Sequence, residues 1–151
     1  LLSQEFNSRV VIGCFMEDIN KLIEYLIAIC NFAKDIHYNC KDEAFYSKHL
    51  LADRIQENLN EYLDQIKEVF FLAGDKEPLP SGEYLSRATS LIPLIANEDK
   101  ANFVSMQNLL VVTLEHIESL QNLTKGEENL IGAIAQDLQN SLGLVNLQVK
   151  D

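Results

Sequence analysis

The sequence predicts an all-α protein, a four-helix bundle with one short extra helix between the second and third long helices. Four long segments place apolar residues three or four positions apart, which is the spacing of an amphipathic helix. The stretch densest in helix-breaking residues is GDKEPLPSG, at 74–82, so it is the expected long connection. A chain of 151 residues, 47% of them hydrophobic, can bury a core of its own, and we expect one domain over 1–151.

The first two predicted helices are separated by a short polar segment. The first runs from about Ser8 to Tyr38 and the second from about Glu43 to Ala73. Between them, Asp42 is suited to cap the second helix. The apolar stripes are Cys14, Phe15, Ile19, Leu22, Ile23, Leu26, Cys30, Ala33 and Ile36 in the first helix, and Leu51, Ile55, Leu59, Tyr62, Ile66 and Phe70 in the second.

The second half of the chain contains the short helix and the last two long ones. The short helix is expected at 83–92, where Pro93 limits it. The third long helix is predicted over about 97–123 and the fourth over about 127–147. The length of the connection at 74–82 leaves open whether the second and third helices run parallel or antiparallel. The stripes are Phe103, Met106, Leu110, Val111, Leu114 and Ile117 in the third helix, and Leu130, Ile131, Ile134, Leu138, Leu142 and Val145 in the fourth.

The charge of the chain argues against a nucleic-acid-binding surface. A net charge of −11 and the lack of a Lys/Arg cluster disfavour binding to a phosphate backbone, so DNA binding is not expected. An acidic surface is instead compatible with attracting cations. No run of 18 apolar residues and no signal-peptide pattern is present, and we expect a soluble cytoplasmic protein without a membrane segment.

Three cysteines, Cys14, Cys30 and Cys40, are an odd number without a CxxC pair, which favours reduced thiols. Cys40 lies three residues after His37, so a metal ligand is conceivable there. The simpler interpretation is a small packed thiol, and Cys40 is left out of the predicted ligand set.

The second predicted helix carries a stripe of potential metal ligands. At 100° per residue, His49, Asp53, Asp64 and Glu68 fall on one face, roughly opposite Ile55. The simplest interpretation of such a stripe is a solvated acidic surface. His49 and Asp53 lie one turn apart, and so do Asp64 and Glu68. These two pairs are too far apart along one helix to reach the same metal ion.

The spacing of these four residues is symmetric, however. The pairs His49 with Glu68 and Asp53 with Asp64 share one midpoint, between Asn58 and Leu59. If the helix packs antiparallel against its own copy about a twofold axis at that point, each residue faces its counterpart. An isologous dimer would then form the site twice.

The residue types suit a transition metal. Imidazole with several carboxylates is a ligand set for Fe(II), Mn(II) or Zn(II). His37, at the end of the first helix, could supply a second imidazole, although a lone histidine on an apolar stripe is more often a core residue. The chain has no Glu-x-x-His motif of the usual ferritin type, and His116 is expected to be a partly exposed residue without a metal role.

The segment from His37 to Glu68 resembles the ferroxidase-centre signature of the Dps proteins, the mini-ferritins of bacteria. In that signature an aromatic residue follows the first His, and Phe, His, Asp, Asp and Glu lie eight, twelve, sixteen, twenty-seven and thirty-one residues after it. The helix order, the short helix and the last helix, LIGAIAQDLQNSLGLV, extend the resemblance over nearly the whole chain. The matching residues are His37 with Tyr38, Phe45, His49, Asp53, Asp64 and Glu68.

The resemblance implies a ferritin-like bundle that assembles into a hollow dodecamer with ferroxidase sites at its twofold interfaces. It implies that His37, His49 and Asp53 come from one subunit and Asp64 and Glu68 from its mate. Iron is the implied metal, with Zn²⁺ or Mn²⁺ as alternatives. Hydrogen peroxide, or O₂, would oxidise Fe(II), and the stored ferric mineral would protect the cell against oxidative stress.

The sequence also departs from the family pattern. Tyr38 replaces the usual Trp, the usual glycine is replaced around Asp42, and no Lys-rich DNA-binding tail is visible. For the pore through which iron would enter the shell, only Glu127 and Glu128 are candidates. The alternative function is a catalytically reduced shell that acts as a structural or stress-related protein, possibly associated with DNA.

Overall fold

The structure is a computed structural model that describes the backbone of residues 2–150 and the side chains of residues 15–150. Four long helical arms and one short helix make up the fold of the described residues, which confirms the predicted all-α four-helix bundle with an extra helix in its long connection. The first arm is residues 2–39, the second arm is residues 45–72, and the last two arms are residues 99–118 and 125–149. The elements are α1 (Leu2–Asn39), α2 (Phe45–Gln56), α3 (Leu59–Ile66), a π-helical segment (Lys67–Leu72), α4 (Ser81–Thr89), α5 (Asp99–Glu118) and α6 (Lys125–Val149).

Contacts near the two ends of α5 give the directions of the helices. The backbone amide of Lys41, just after α1, donates to the carboxylate of Asp99, the first residue of α5. Near the other end of α5, Nε2 of His116 lies 2.8 Å from the carbonyl oxygen of Asp18 in α1. α1 and α5 are therefore antiparallel. Because a short turn joins α1 to α2, the second arm runs parallel to α5, and the long connection returns along the bundle.

The core lies between the four arms and contains most of the predicted stripes. All the predicted stripe residues from Ile19 onward are buried or half-buried except Val111, which is 36% exposed and was wrongly assigned to the core. The side chain of Cys14 lies outside the described residues. α1 is buried more widely than one stripe because it packs against the second arm, α4 and α5. Three further hydrophobic residues in it are buried, Ala28, Ile29 and Phe32, as are the polar residues Asn20 and Glu24.

The second arm is not one regular helix, which corrects the expectation of a continuous helix over 43–73. The amide of Glu57 donates to the carbonyl of Arg54 at 3.3 Å, three residues back, and α2 ends there. Four-residue pairing resumes where the amide of Tyr62 donates to the carbonyl of Asn58 at 3.1 Å. The interruption falls beside the midpoint of the symmetric residue pattern.

A second irregularity follows α3. The amide of Ala73 donates to the carbonyl of Glu68 at 2.9 Å, five residues back, which is the pairing of a π-helix. Phe70 and Phe71 within this segment are each only 2% exposed, so two consecutive aromatic rings are buried. Such π segments are frequent at functional sites, and this one contains a predicted ligand.

Helix α4 is attached to α1 through polar side chains. The hydroxyl of Tyr84, whose residue is 1% exposed, donates to Asn20 Oδ1 at 2.7 Å and accepts from the amide of Leu79 at 3.1 Å. Arg87 pairs with Glu17 at 2.6 Å and lies 3.8 Å from the buried carboxylate of Glu24. These contacts fix the long connection on the outside of the bundle.

The ends of the last two arms differ slightly from the prediction. α5 ends at Glu118, earlier than expected, and Asn122 then adopts a φ of 60°, a left-handed conformation that asparagine tolerates. α6 begins at Lys125 with a capping box, in which Thr124 and Glu127 each accept from the other's backbone amide. Within residues 2–150, no helix has the length and apolar character that a membrane crossing requires.

Candidate metal site

The junction between α1 and α2 is held by a charged cluster whose two central members, Lys48 and Asp99, are buried. The carboxylate of Asp99 accepts from the backbone amides of Lys41 and Asp42 at 3.1 Å. The ammonium of Lys48 pairs with the carboxylate of Asp42 and lies 3.8 Å from Asp99 Oδ2. Lys48 and Asp99 are 8% and 5% exposed. The cluster therefore joins the end of α1, the first turn of α2 and the start of α5.

Asp42 has a different role from the one predicted. Its Oδ1 accepts from the amide of Ala44 at 3.0 Å, which forms a turn before α2, whereas the N-cap position itself is Ala44. The hydrogen bond from Lys48 lowers the pKa of the Asp42 carboxyl. Asp42 is thus ionised at neutral pH and holds the turn from which α2 begins.

His37 and His49 face each other across this junction. Their rings are stacked with centroids 3.5 Å apart and an interplanar angle of 24°, and both residues are half-buried. Nδ1 of His37 lies 3.0 Å from the carbonyl oxygen of His49, and Nδ1 of His49 lies 2.7 Å from the carbonyl oxygen of His37. The two predicted imidazole ligands therefore form one reciprocal pair.

These contacts determine which ring nitrogen carries the proton. A carbonyl oxygen only accepts hydrogen bonds, so each Nδ1 must be the protonated donor. In the neutral ring, Nε2 then has its lone pair available for a metal ion. A hydrogen bond from the other ring nitrogen to a backbone carbonyl is the usual way in which proteins orient metal-binding histidines.

Aromatic residues flank the histidine pair. Tyr38 lies edge-on to His37 with ring centroids 5.0 Å apart, and Tyr46 lies nearly parallel to His49 at 6.5 Å. Tyr38, Tyr46 and Phe45 are 79%, 64% and 52% exposed. A large aromatic surface thus surrounds the pair on the outside of the single chain.

The three predicted carboxylate ligands are exposed on the second arm. Asp53 follows His49 by one helical turn and accepts from Gln56 Nε2 at 3.0 Å. Asp64 lies in α3, and Glu68 lies in the π segment. Within the described part of one chain, no group of three or more His, Cys, Asp or Glu residues is arranged to hold a metal ion. The chain alone brings together His37 and His49 but not the carboxylates.

The other residues considered in the sequence are structural. Sγ of Cys40 donates to the carbonyl of Ile36 at 3.0 Å, and burial raises its pKa to about 11, so it carries a proton at neutral pH rather than a metal. His116 is half-buried against Tyr25, with ring centroids 5.6 Å apart, as well as against Asp18. Cys30 is a buried free thiol.

The two pore candidates lie on the first turn of α6. Glu127 is engaged in the capping box, whereas Glu128 is exposed. Glu128 lines a shallow open pocket with Lys125, Asn129, Gly132, Ala133 and Gln136. Of the two, only Glu128 has a carboxylate that is not used for capping.

Sequence reasoning missed Lys48 and Asp99. Asp99 lies within the predicted start of the third long helix and Lys48 within the second, but neither was assigned a role, and lysines are rarely buried. The only sequence signal is the placement of Lys48 between a predicted ligand and the short turn. Its partner Asp99 lies 51 residues further on, and no local pattern connects the two.

Comparison with known proteins shows similarity in structure but not in sequence. No protein-family model matches the chain, and no curated protein matches it. A structure of a mutant Dps protein from Mycobacterium smegmatis superimposes with a TM-score of 0.72 and 16% identity, covering 91% of this chain and 96% of the other. A tetragonal crystal form of Dps from the same organism gives a TM-score of 0.70 and 19% identity, covering 90% and 88%. The chain therefore has a Dps-like fold.

Proposed function

We propose that this protein is a Dps-like ferroxidase and iron-storage protein, in which two subunits share each iron-oxidation site. The observation that carries the proposal is the reciprocal histidine pair at the junction of α1 and α2. Two half-buried imidazoles whose Nδ1 atoms are both directed to backbone carbonyls leave two Nε2 lone pairs for a divalent ion.

The remaining ligands are proposed to come from both subunits. Asp53 is one turn from His49 and would complete one half of the site. Asp64 and Glu68 would reach it from a second copy, antiparallel about an axis near Asn58 and Leu59. Their exposure in the single chain is what such a shared site requires.

The proposed reaction uses iron as substrate. Two Fe²⁺ ions each give up one electron, and hydrogen peroxide takes up both electrons with two protons to form two molecules of water. The carboxylates would favour the Fe³⁺ product through charge, and the neutral imidazoles would bind Fe²⁺ without adding further negative charge. Glu68 would be the strongest ligand or bridge, and Asp53 would bind iron or orient a histidine.

The proposal includes assembly into a dodecameric cage that stores the ferric product, in the cytoplasm. The Dps-like fold of the chain supports a cage, and the net charge of −11 disfavours DNA as a partner. Zn²⁺ or Mn²⁺ would compete for the same ligands.

The direct test is anaerobic titration with Fe²⁺ followed by a pulse of hydrogen peroxide. Wild type is compared with His49→Ala and Glu68→Ala, and with Glu77→Ala, at an exposed position in the connection before α4, as a control. Loss of one ligand should slow oxidation by about tenfold or more, whereas the control should match wild type. Equal oxidation rates in all four proteins would reject the proposed activity.

A Dps-like shell with reduced catalysis is the second candidate. The interruption at Glu57 and Asn58 favours it, because it lies where the two copies of the second arm would have to meet. This candidate predicts a large assembly without rapid iron oxidation. The peroxide experiment and a mass measurement in solution together separate the two functions.

A further inference from the structure

The contacts of Lys48 and Asp99 suggest a role beyond holding a turn. We propose that Asp99, together with Lys48, is a positioning residue for the His37–His49 pair. This inference rests on the proposed iron site, because it concerns how the imidazole half of that site is kept in place. The residues act on the histidines through the backbone and through the first turn of α2, and neither is proposed to touch iron.

Asp99 holds the backbone that directly follows α1. Asp99 Oδ2 accepts from the amides of Lys41 and Asp42, each at 3.1 Å, and Oδ1 lies 3.3 Å from the amide of Lys41. These amides lie in the turn between α1 and α2, outside the hydrogen-bonding ladder of either helix, so they need an acceptor from elsewhere. Because Asp99 is itself 5% exposed, water is a poor substitute for its carboxylate. The end of α1, which carries His37, is thereby fixed to the start of α5.

Lys48 links the first turn of α2 to the carboxylate of Asp99. Lys48 directly precedes His49, and its ammonium reaches both carboxylates of the junction, Asp42 and Asp99. A buried ammonium needs this compensation, since an unpaired charge at 8% exposure would be strongly unfavourable. The position of Lys48 is therefore tied to the same carboxylate that holds the end of α1, and His49 follows it.

The positions of α1 and α2 are coupled at the histidine pair. The two histidines each donate to the other's carbonyl, so a shift of α2 relative to α1 disturbs both hydrogen bonds together. A metal site has to hold its ligands within about 0.5 Å of their working positions. The buried charges of Lys48 and Asp99, with the exposed carboxylate of Asp42, resist such a shift at this junction.

The test uses assembled protein labelled with ¹⁵N at histidine only. His37 and His49 should give signals of the form protonated at Nδ1, whereas His116, whose Nε2 faces the carbonyl of Asp18, should give the other form and serve as an internal control. Asp99→Asn and Lys48→Met should lose or broaden the two Nδ1–H signals without changing His116. Glu98→Gln and Lys76→Met, both at exposed positions, should leave all three unchanged.

Metal affinity supplies a second measurement. Calorimetric titration with Zn²⁺, which has no redox chemistry here, should show about tenfold weaker binding in Asp99→Asn and Lys48→Met, and Lys48→Arg should restore most of the affinity. Wild-type histidine signals in both loss variants would overturn the inference. If one variant fails to fold, the other decides.

The outcomes separate this inference from the proposed function. If wild type binds no Zn²⁺ and His49→Ala is indistinguishable from it, the metal site fails, while the histidine spectra still decide whether Asp99 and Lys48 hold the pair. If wild type binds Zn²⁺ and the two loss variants match it in affinity and in spectra, the metal site stands and the positioning role fails.

Discussion

At the scale of single residues, Cys40 and the histidine pair lie at the same junction but differ in their suitability as metal ligands. Cys40 lies one helical turn from His37, but its thiol donates to a backbone carbonyl and faces the carboxylates of Asp99 and Asp42. Burial, followed by the charge of Asp99, raises the thiol pKa. The thiol therefore keeps its proton at neutral pH, whereas each imidazole directs its Nδ1–H to a carbonyl oxygen.

This difference predicts slow alkylation of Cys40. With the pKa raised from 9.0 to about 11, the thiolate fraction at pH 8 is about a hundredfold lower than for an ordinary thiol. Iodoacetamide labelling at pH 8, read by peptide mass spectrometry, should be at least about tenfold slower for Cys40 in folded protein than in urea. The rate should rise as the pH approaches 11. Equal rates in the folded and unfolded states would contradict this description.

A second residue-scale prediction concerns Tyr84. Tyr84→Phe removes the hydroxyl shared by Asn20 and the amide of Leu79, and Asn20 is only 6% exposed. The free energy of unfolding should fall by about 1–3 kcal/mol, because buried polar groups lose their partner. Thermal unfolding at matched protein concentration measures this change. Tyr38→Phe, at a site 79% exposed, is the control, and equal melting temperatures for both variants would contradict the proposed role of the hydroxyl.

Residue types and spacing made His49 a candidate ligand and left His37 open between a core residue and a ligand, and the family resemblance placed both in one predicted site. They were not enough to find Lys48 and Asp99. A buried ion pair depends on which two elements the fold brings together, and α5 was predicted without knowledge of its direction relative to α1. The reciprocal hydrogen bonds of the histidines likewise depend on the exact turn between the helices.

At the scale of elements, the second arm departs most from its sequence pattern. The apolar spacing at 51–70 continues through the interruption at Glu57 and Asn58, so periodicity predicts one helix. An amide can donate to a carbonyl three, four or five residues back. This difference changes the backbone locally and leaves the apolar stripe of the second arm nearly intact. Both Phe70 and Phe71 are buried, whereas the apolar pattern predicted burial of Phe70 alone.

The start of α6 gives an element-scale prediction with a built-in control. Glu127→Ala removes one half of the capping box and should lower the free energy of unfolding by about 1 kcal/mol. Glu128→Ala, at an exposed neighbouring position, should change it by less than about 0.5 kcal/mol. If Glu128 lines the route of iron into a cage, its loss should instead slow mineral formation. A destabilising Glu128→Ala with a neutral Glu127→Ala would contradict these assignments.

At the scale of the whole molecule, the second arm and α5 run parallel, and the connection between them carries α4 along the outside of the bundle. Apolar periodicity predicted the four arms, and the long connection was compatible with either direction. The contacts of Lys41 with Asp99 and of His116 with Asp18 are tertiary, so only the folded chain determines the direction.

The central claim is that two subunits share each site, and a mixing experiment tests it. In the proposed site, His49→Ala subunits would lack an imidazole ligand, and Glu68→Ala subunits would lack a carboxylate ligand from the other half. In a mixed dimer, one site receives both defects and the other receives none. Random co-assembly of equal amounts should therefore restore about a quarter of the wild-type sites.

The measurement is the rate of peroxide-driven Fe²⁺ oxidation after the two inactive variants are unfolded and refolded together, with each variant refolded alone as the control. The shared-site account predicts recovery of about a quarter of the wild-type activity in the mixture and none in either control. An active wild type whose two variants stay inactive after co-assembly would contradict it, because all five ligands would then belong to one chain.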